Sequence, residues 1–113
     1  MHELALTESI FRAALRAAQG GGAKRICAIR LRIGPYSDVV PAYVEKCFAL
    51  LSRGSMAEGA RIEVERAAAR IRCAACKEES EAGRGVYVCP RCQSPHIRLL
   101  SGTECLLDSI EVE

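Results

Sequence analysis

The sequence has no tryptophan and only three tyrosines and two phenylalanines. Aromatic side chains are therefore scarce as platforms for stacking nucleic-acid bases. No stretch approaches the roughly eighteen uninterrupted apolar residues that a membrane-spanning helix needs, so no span is expected. A secretory leader is not expected either, because Glu3 and Glu8 stand where it would need a basic start and an unbroken apolar run. Charge of one sign is also missing: 16 basic against 14 acidic residues leave a formal net charge of +2. The signatures of several enzyme classes are absent too, with no GxxxxGK[ST] phosphate loop, no Rossmann fingerprint and no serine-histidine-acid set. The chain is expected to carry no catalytic activity of its own.

What remains is a chain of 113 residues, half of them apolar, that suits one domain or two small ones. Seven cysteines are an odd number, and no export signal accompanies them. Reduced, metal-binding cysteines in the cytoplasm fit this better than a secreted disulfide scaffold.

The apolar pattern divides the chain. Leu4, Phe11, Ala14, Leu15 and Ala18 recur at helical spacing, Ile10 widens the stripe, Glu8 stands four residues before Arg12, and "QGGG" stops the helix. "KRICAIRLRIG" alternates, with Cys27, Ile29, Leu31 and Ile33 on one face and Lys24, Arg30 and Arg32 on the other together with Ile26 and Ala28. A second helix is expected where Val40, Tyr43, Val44, Cys47, Phe48 and Leu51 follow the helical rule, with Pro41 in its first turn and Gly54 beyond its end. "ARIEVER" and "CLLDSIEVE" read as strands that place Ile62 and Val64 on one face, and Leu106, Ile110 and Val112 on one face. Between them, residues 69–99 are rich in cysteine, glycine and charge and poor in apolar periodicity. The fold class expected is α+β: two helices packed on a small β-sheet, residues 1–68 completed by a strand within 100–113, with an inserted zinc-ribbon-like domain at 69–99.

The insert holds "CAAC" and "CPRC", that is Cys73, Cys76, Cys89 and Cys92. Each two-residue gap forms a knuckle that aims both sulfurs at one point, so the four can close a tetrahedron around Zn(II). All four ligands are protein sulfurs and no position stays open for water, so the zinc is expected to be structural. Its binding free energy, roughly 10–16 kcal/mol in finger peptides near neutral pH, suffices to fold a segment too short for a core of its own. The competing readings are a rubredoxin-like iron site, a disulfide pair and a redox CxxC. Nucleic acid is disfavoured: Arg70, Arg72, Lys77, Arg84, Arg91 and Arg98 face Glu78, Glu79 and Glu81, and a Zn(Cys)4 centre carries about −2. Tyr87 is the only aromatic residue in the insert. Cys27, Cys47 and Cys105 are spread singly, and for Cys27 and Cys47, on apolar faces, buried core thiols are expected. His96 could exchange with a zinc thiolate, but a solvent-facing loop histidine is the favoured reading.

The other histidine, His2, follows Met1 directly. Methionine aminopeptidases act when residue 2 is small, so Met1 is expected to stay and its amine to be the true terminus. That amine, the His2 amide nitrogen and the His2 imidazole can close consecutive chelate rings on one ion, with the Glu3 amide as a fourth nitrogen. Four near-coplanar nitrogens suit Ni(II) or Cu(II), and deprotonated amides bind only by releasing protons. Copper stands above nickel in intrinsic affinity, so selectivity for nickel must come from supply and partners.

"MHEL" at the start, "LRIG" before "SDV", a helix containing "CF", "RGSMAEGARIEVE", the pairs "CAAC" and "CPRC", and "SGTE" leading to "SIEVE" together resemble the HypA (HybF) family of nickel metallochaperones. The resemblance spans essentially the whole chain. It implies a nickel domain of two helices on a small sheet and a zinc domain inserted before the last strand. Ni(II) would be transient cargo held by Met1, His2 and Glu3, with His2 giving the essential imidazole and Glu3 its backbone nitrogen. The implied partners are a HypB-type GTPase and the hydrogenase large subunit, or urease maturation proteins in some organisms; the chain could be a monomer or a homodimer. Two departures stand out: Gln93 follows Cys92 where members often have glycine, and no histidine follows Cys76. The rival reading is a zinc-ribbon module binding nucleic acid or protein, with His2 incidental.

Overall fold

The computed structural model describes residues 3–83 and 85–113. Helix α1 runs Glu3–Gly20. Its inward stripe is Thr7, Ile10, Ala14 and Ala18, a set shifted from the stripe expected from sequence, since Leu4 is exposed. Thr7 can be buried because its hydroxyl donates to the Glu3 carbonyl one turn earlier, at 2.5 Å. The helix ends in a Schellman-type cap: Ala23 N–H donates to Ala18 O and Gly22 N–H to Gln19 O, with Gly22 at φ 70°. Glycine takes that left-handed position without a Cβ clash, which is why "GGG" stops the helix here.

Strand β1 follows at Ile26–Ile33, then helix α2 at Pro41–Leu51. Strands β2 to β6 are Arg61–Arg66, Ala69–Cys73, Glu79–Ala82, Ile97–Ser101 and Cys105–Val112. They form two three-stranded sheets, ordered β2-β1-β6 and β4-β3-β5. The last strand thus returns to the sheet of the first two, across everything between them.

The chain divides into two compact units. The first takes in the chain up to Arg32, Asp38–Glu65 and Cys105–Glu113. Its core includes Ile10, Ala14, Ile29, Leu31, Val44 and Phe48, each at most 6% exposed. Phe11 meets Phe48 edge-on, with ring centroids 5.7 Å apart. A fully buried chain of this size contributes about 1.5–3 kcal/mol. Ile26 and Ala28, placed by alternation on the charged face, are also fully buried. The turn after α2 reaches this end of β1, where Ile26 N–H donates to Met56 O at 2.8 Å and Ala57 is itself buried. Further along β1 the charged face carries an ionic lattice: Arg30 lies 3.6 Å from Glu63 and 3.8 Å from Glu111, Arg32 is 3.6 Å from Glu65, and Arg61 is 2.9 Å from Glu111. Such exposed pairs contribute at most about 1 kcal/mol each. They do keep the face polar and locally neutral.

Four residues of the expected apolar faces lie at the surface instead: Tyr43 and Leu106 are each 54% exposed, Val40 42% and Val112 43%. With two helices on a three-stranded sheet, sharing a face does not ensure that the face is covered along its whole length.

The second unit is Ile33–Ser37 with Arg66–Glu104. Strand β3 pairs antiparallel with β4, Ile71 opposite Ser80, and with β5, Cys73 opposite Ile97. Its burial alternates, with Ala69, Ile71 and Cys73 inward and Arg70 and Arg72 outward. The segment "GPY" is tied in by backbone: Gly34 N–H donates to Glu104 O and Tyr36 N–H to Gly102 O, while the Tyr36 hydroxyl donates to Gly83 O at 2.9 Å. At Gly34 a Cβ would run into the Gly102 carbonyl, and at Gly102, φ 133°, it would lie 2.7 Å from the Ala69 methyl. Backbone cannot step aside as a rotamer can. Gly34→Ala is therefore expected to destabilise this unit by about 3 kcal/mol, the upper end for overpacking, measured as a fall in the melting midpoint of the metal-loaded chain.

Candidate metal centre

Cys73 ends β3 at an inward position, so the strand itself delivers the first sulfur. The chain then turns back: Lys77 N–H donates to Cys73 O, Cys73 N–H donates to Glu78 O, and Cys76 N–H points at Cys73 Sγ, 3.4 Å away. The second pair repeats the device. Gln93 N–H donates to Cys89 O, Cys89 N–H donates to Ser94 O, and Arg91 N–H points at Cys89 Sγ, also at 3.4 Å.

These two knuckles bring the four sulfurs within 4.8 Å of one another. Cys73 and Cys92 Sγ are 3.5 Å apart, and Cys76 and Cys89 Sγ 3.8 Å. A regular tetrahedron with metal–sulfur bonds of about 2.3 Å has edges of about 3.8 Å. The donor set therefore fits a tetrahedral, thiophilic ion, and all four expected cysteines come together. His96 is exposed and stands outside this cluster among the described residues. Cys27, Cys47 and Cys105 are half-buried rather than buried in the core. At Cys27 the reason is visible: its thiol lies 3.7 Å from the Glu113 carboxylate, near the solvated end of the sheet.

The residue after each pair is left-handed: Lys77 and Gln93 both have φ 67°. The sharp reversal that aims two sulfurs together requires this, and a side chain there costs about 1 kcal/mol relative to glycine. Gln93→Gly is thus expected to raise the stability of the metal-loaded unit by about 0.5–1 kcal/mol, seen as a higher melting midpoint.

The thiols are unequal before metal binds. The Cys76 backbone N–H is the main influence drawing Cys73 down to about 6, with Ala75 N–H assisting against burial. Cys89 is lowered by the backbone N–H groups of Cys92 and Arg91. At Cys92 the Ser94 amide pulls down, yet Cys73, burial, Cys89 and Cys76 together outweigh it and raise the thiol to about 11. Cys76 is also raised, because the Glu78 amide is outweighed by burial and by the Cys73 and Cys89 sulfurs. At neutral pH Cys76 and Cys92 therefore hold protons that a metal must displace. At least two protons released imply that apparent affinity rises at least about a hundredfold per pH unit near neutrality and falls equally on acidification. Competition with a chromophoric zinc chelator at several pH values measures that slope.

The site expected at the N-terminus involves Met1 and His2, which lie outside the described residues. Glu3 is the first residue of α1. No helix among the described residues is long and apolar enough to cross a membrane.

A helix-on-sheet unit joined to a small ribbon in which four thiols converge has the makings of a metal-binding protein. The family model for "Hydrogenase/urease nickel incorporation, metallochaperone, hypA" matches residues 1–112. The chain belongs to the HypA family, and its role is nickel delivery in hydrogenase maturation. It is 38% identical over 113 residues to the hydrogenase maturation factor HypA of Dehalococcoides mccartyi strain 195, covering all of this chain and 95% of that one. Against the factor of the same name from Geobacter metallireducens the identity is 37% over 114 residues, with both chains fully covered. The fold matches the solution structure of the Ni metallochaperone HypA from Helicobacter pylori with a TM-score of 0.72 at 20% identity, over 99% of this chain and 97% of that one. A second solution structure of a HypA protein matches with a TM-score of 0.75 at 22% identity, over 100% and 97%.

Proposed function

We propose that the chain carries Ni(II) at its N-terminus, through the Met1 amine, the His2 amide nitrogen and imidazole and the Glu3 amide. Zn(II) in the Cys73, Cys76, Cys89 and Cys92 cluster holds the second unit together. The observation that carries the nickel site is the histidine at position 2 of a HypA-family chain. Helix geometry supports it: Glu3 begins α1, and the first N–H groups of a helix have no intrahelical acceptor. Its amide can therefore lose a proton to a metal without breaking the helix ladder. For the second unit, four sulfurs and no open position match structural zinc.

In this reading the protein works in the cytoplasm with a HypB-type GTPase and passes nickel to the hydrogenase large subunit. Delivery to urease is a second route, named in the family's own description. It carries its cargo without converting it. Ligands at a chain terminus can be replaced one at a time by an acceptor, so the ion need never be free.

The test compares nickel titrations of the untagged chain and of one extended by a few residues before Met1. Extension removes the terminal amine, and the expected result is loss of the planar, diamagnetic nickel spectrum. Equal affinity in both would instead favour a zinc-ribbon module that binds nucleic acid or protein.

A further inference from the structure

A cleft of about 530 Å³ opens in the second unit beside Cys73, lined by Arg72, Lys77, His96 and Arg98 together with the apolar side chains of Ala74 and Ile97. No acidic residue lines it. Arg72 and Arg98 are direct cross-strand partners in the β3–β5 register, a like-charge pairing that works against the sheet. Glu79 on β4 offsets Arg72, at 3.4 Å, but among the described residues no carboxylate pairs with Arg98 or with Lys77. Lys77 is held at the cleft by its left-handed backbone. The fold thus keeps Arg72, Lys77 and Arg98 together beside Ala74 and Ile97, with Lys77 and Arg98 unpaired by its own carboxylates among the described residues.

We propose that this cleft docks a short acidic peptide segment of a partner protein. Carboxylates of the segment would meet the guanidinium forks of Arg72 and Arg98 and the Lys77 ammonium, and an aliphatic side chain between them would rest on Ala74 and Ile97. Guanidinium groups match carboxylates in bidentate geometry, and a partner's carboxylates relieve a repulsion the folded chain otherwise retains. Nucleic acid fits less well, since no phenylalanine, tyrosine or tryptophan lines the cleft and its one ring is the His96 imidazole, and a tetrathiolate-bound dication nearby would carry about −2. A nucleotide phosphate would want a nest of free backbone N–H groups. Here Ala74 N–H is used by His96 O and Lys77 N–H by Cys73 O. The inference does not rest on the nickel reading.

The experiment uses the full chain loaded with zinc alone. A fluorescein-labelled dodecapeptide alternating leucine with aspartate and glutamate is titrated by anisotropy, beside its asparagine and glutamine counterpart and an oligo-dT of twelve nucleotides. Expected are saturable binding of the acidic peptide, weakening as salt rises, and amide shifts in an NMR titration confined to the cleft residues. Arg98→Glu and Lys77→Glu each reduce affinity at least tenfold, while Lys46→Glu, on the exposed face of α2, leaves it unchanged. Arg98→Glu turns a repulsive cross-strand pair into an attractive one, so the variant keeps the fold. The proposal is overturned if Arg98→Glu binds the peptide as the parent does, if the amide counterpart binds equally well, if the shifts fall elsewhere, or if oligo-dT binds more tightly.

Discussion

Removing the metal from the four-cysteine cluster is expected to unfold the second unit and leave the first standing. Among the described residues of that unit, the only large aliphatic side chains buried are Ile33 and Ile71, and the rest of the interior is Ala69, Ala82, Cys73 and Cys89. At about 1.5–3 kcal/mol for each large chain, such a core cannot offset an ordering cost of about 1–2 kcal/mol per residue over a unit of this size. A tetrathiolate ion contributing roughly 10–16 kcal/mol can. Chelation should therefore collapse the amide dispersion of β3, β4 and β5 to random-coil positions, while resonances of α1, α2 and β1 persist, because their core of Ile29, Leu31, Val44 and Phe48 is complete without it. Cys89→Ser should do the same at neutral pH, since the replacement hydroxyl sits at a position only 1% exposed and is a poor ligand. Persistence of the β3–β5 amides in the metal-free chain would show that hydrogen bonds and the small core suffice.

The metal cluster was legible because its information is local. Two-residue gaps fix the knuckles, and the knuckles fix where the sulfurs point. The helices were legible for a similar reason, through apolar spacing, Pro41 and the "GGG" stop. The strands around the cysteine cluster were not, although Ala69, Ile71 and Cys73 alternate with Arg70 and Arg72 in the sequence. Three inward residues, one of them a cysteine of the cluster, resemble a loop until the pairing of Arg72 with Arg98 and Glu79 is known. The inclusion of Ile33–Ser37 in the second unit depends on contacts between residues far apart in sequence, Gly34 with Glu104 and Tyr36 with Gly102. No window of sequence contains both partners. The same limit applies to Ile26, buried by a turn thirty residues on, and to Leu106, exposed although it shares an apolar face with Ile110 and Val112. Alternation says which residues share a face; it does not say which face is covered.

His2→Ala is expected to lower nickel affinity at least a hundredfold while leaving the zinc content and the thermal stability of both units unchanged. In the proposed site the imidazole would close a six-membered chelate ring beside the five-membered ring of the amine and amide. Without it, an amine and backbone amides remain, and amides yield their protons to nickel only when a strong neighbouring donor has anchored the ion. A hundredfold loss corresponds to about 2.7 kcal/mol, and the planar spectrum should vanish with it. The pH dependence gives a second, independent reading. Binding at near-neutral pH must release the terminal ammonium proton and the two amide protons, so apparent affinity should fall about a thousandfold for each pH unit of acidification, a slope that a site made of carboxylates would not show. Copper(II) should bind the same nitrogens more tightly, as the Irving–Williams order requires, and lose affinity in the same variant. If His2→Ala kept the affinity, spectrum and pH slope of the parent chain, nickel would have to sit elsewhere, and the four-thiol cluster would be the next place to look.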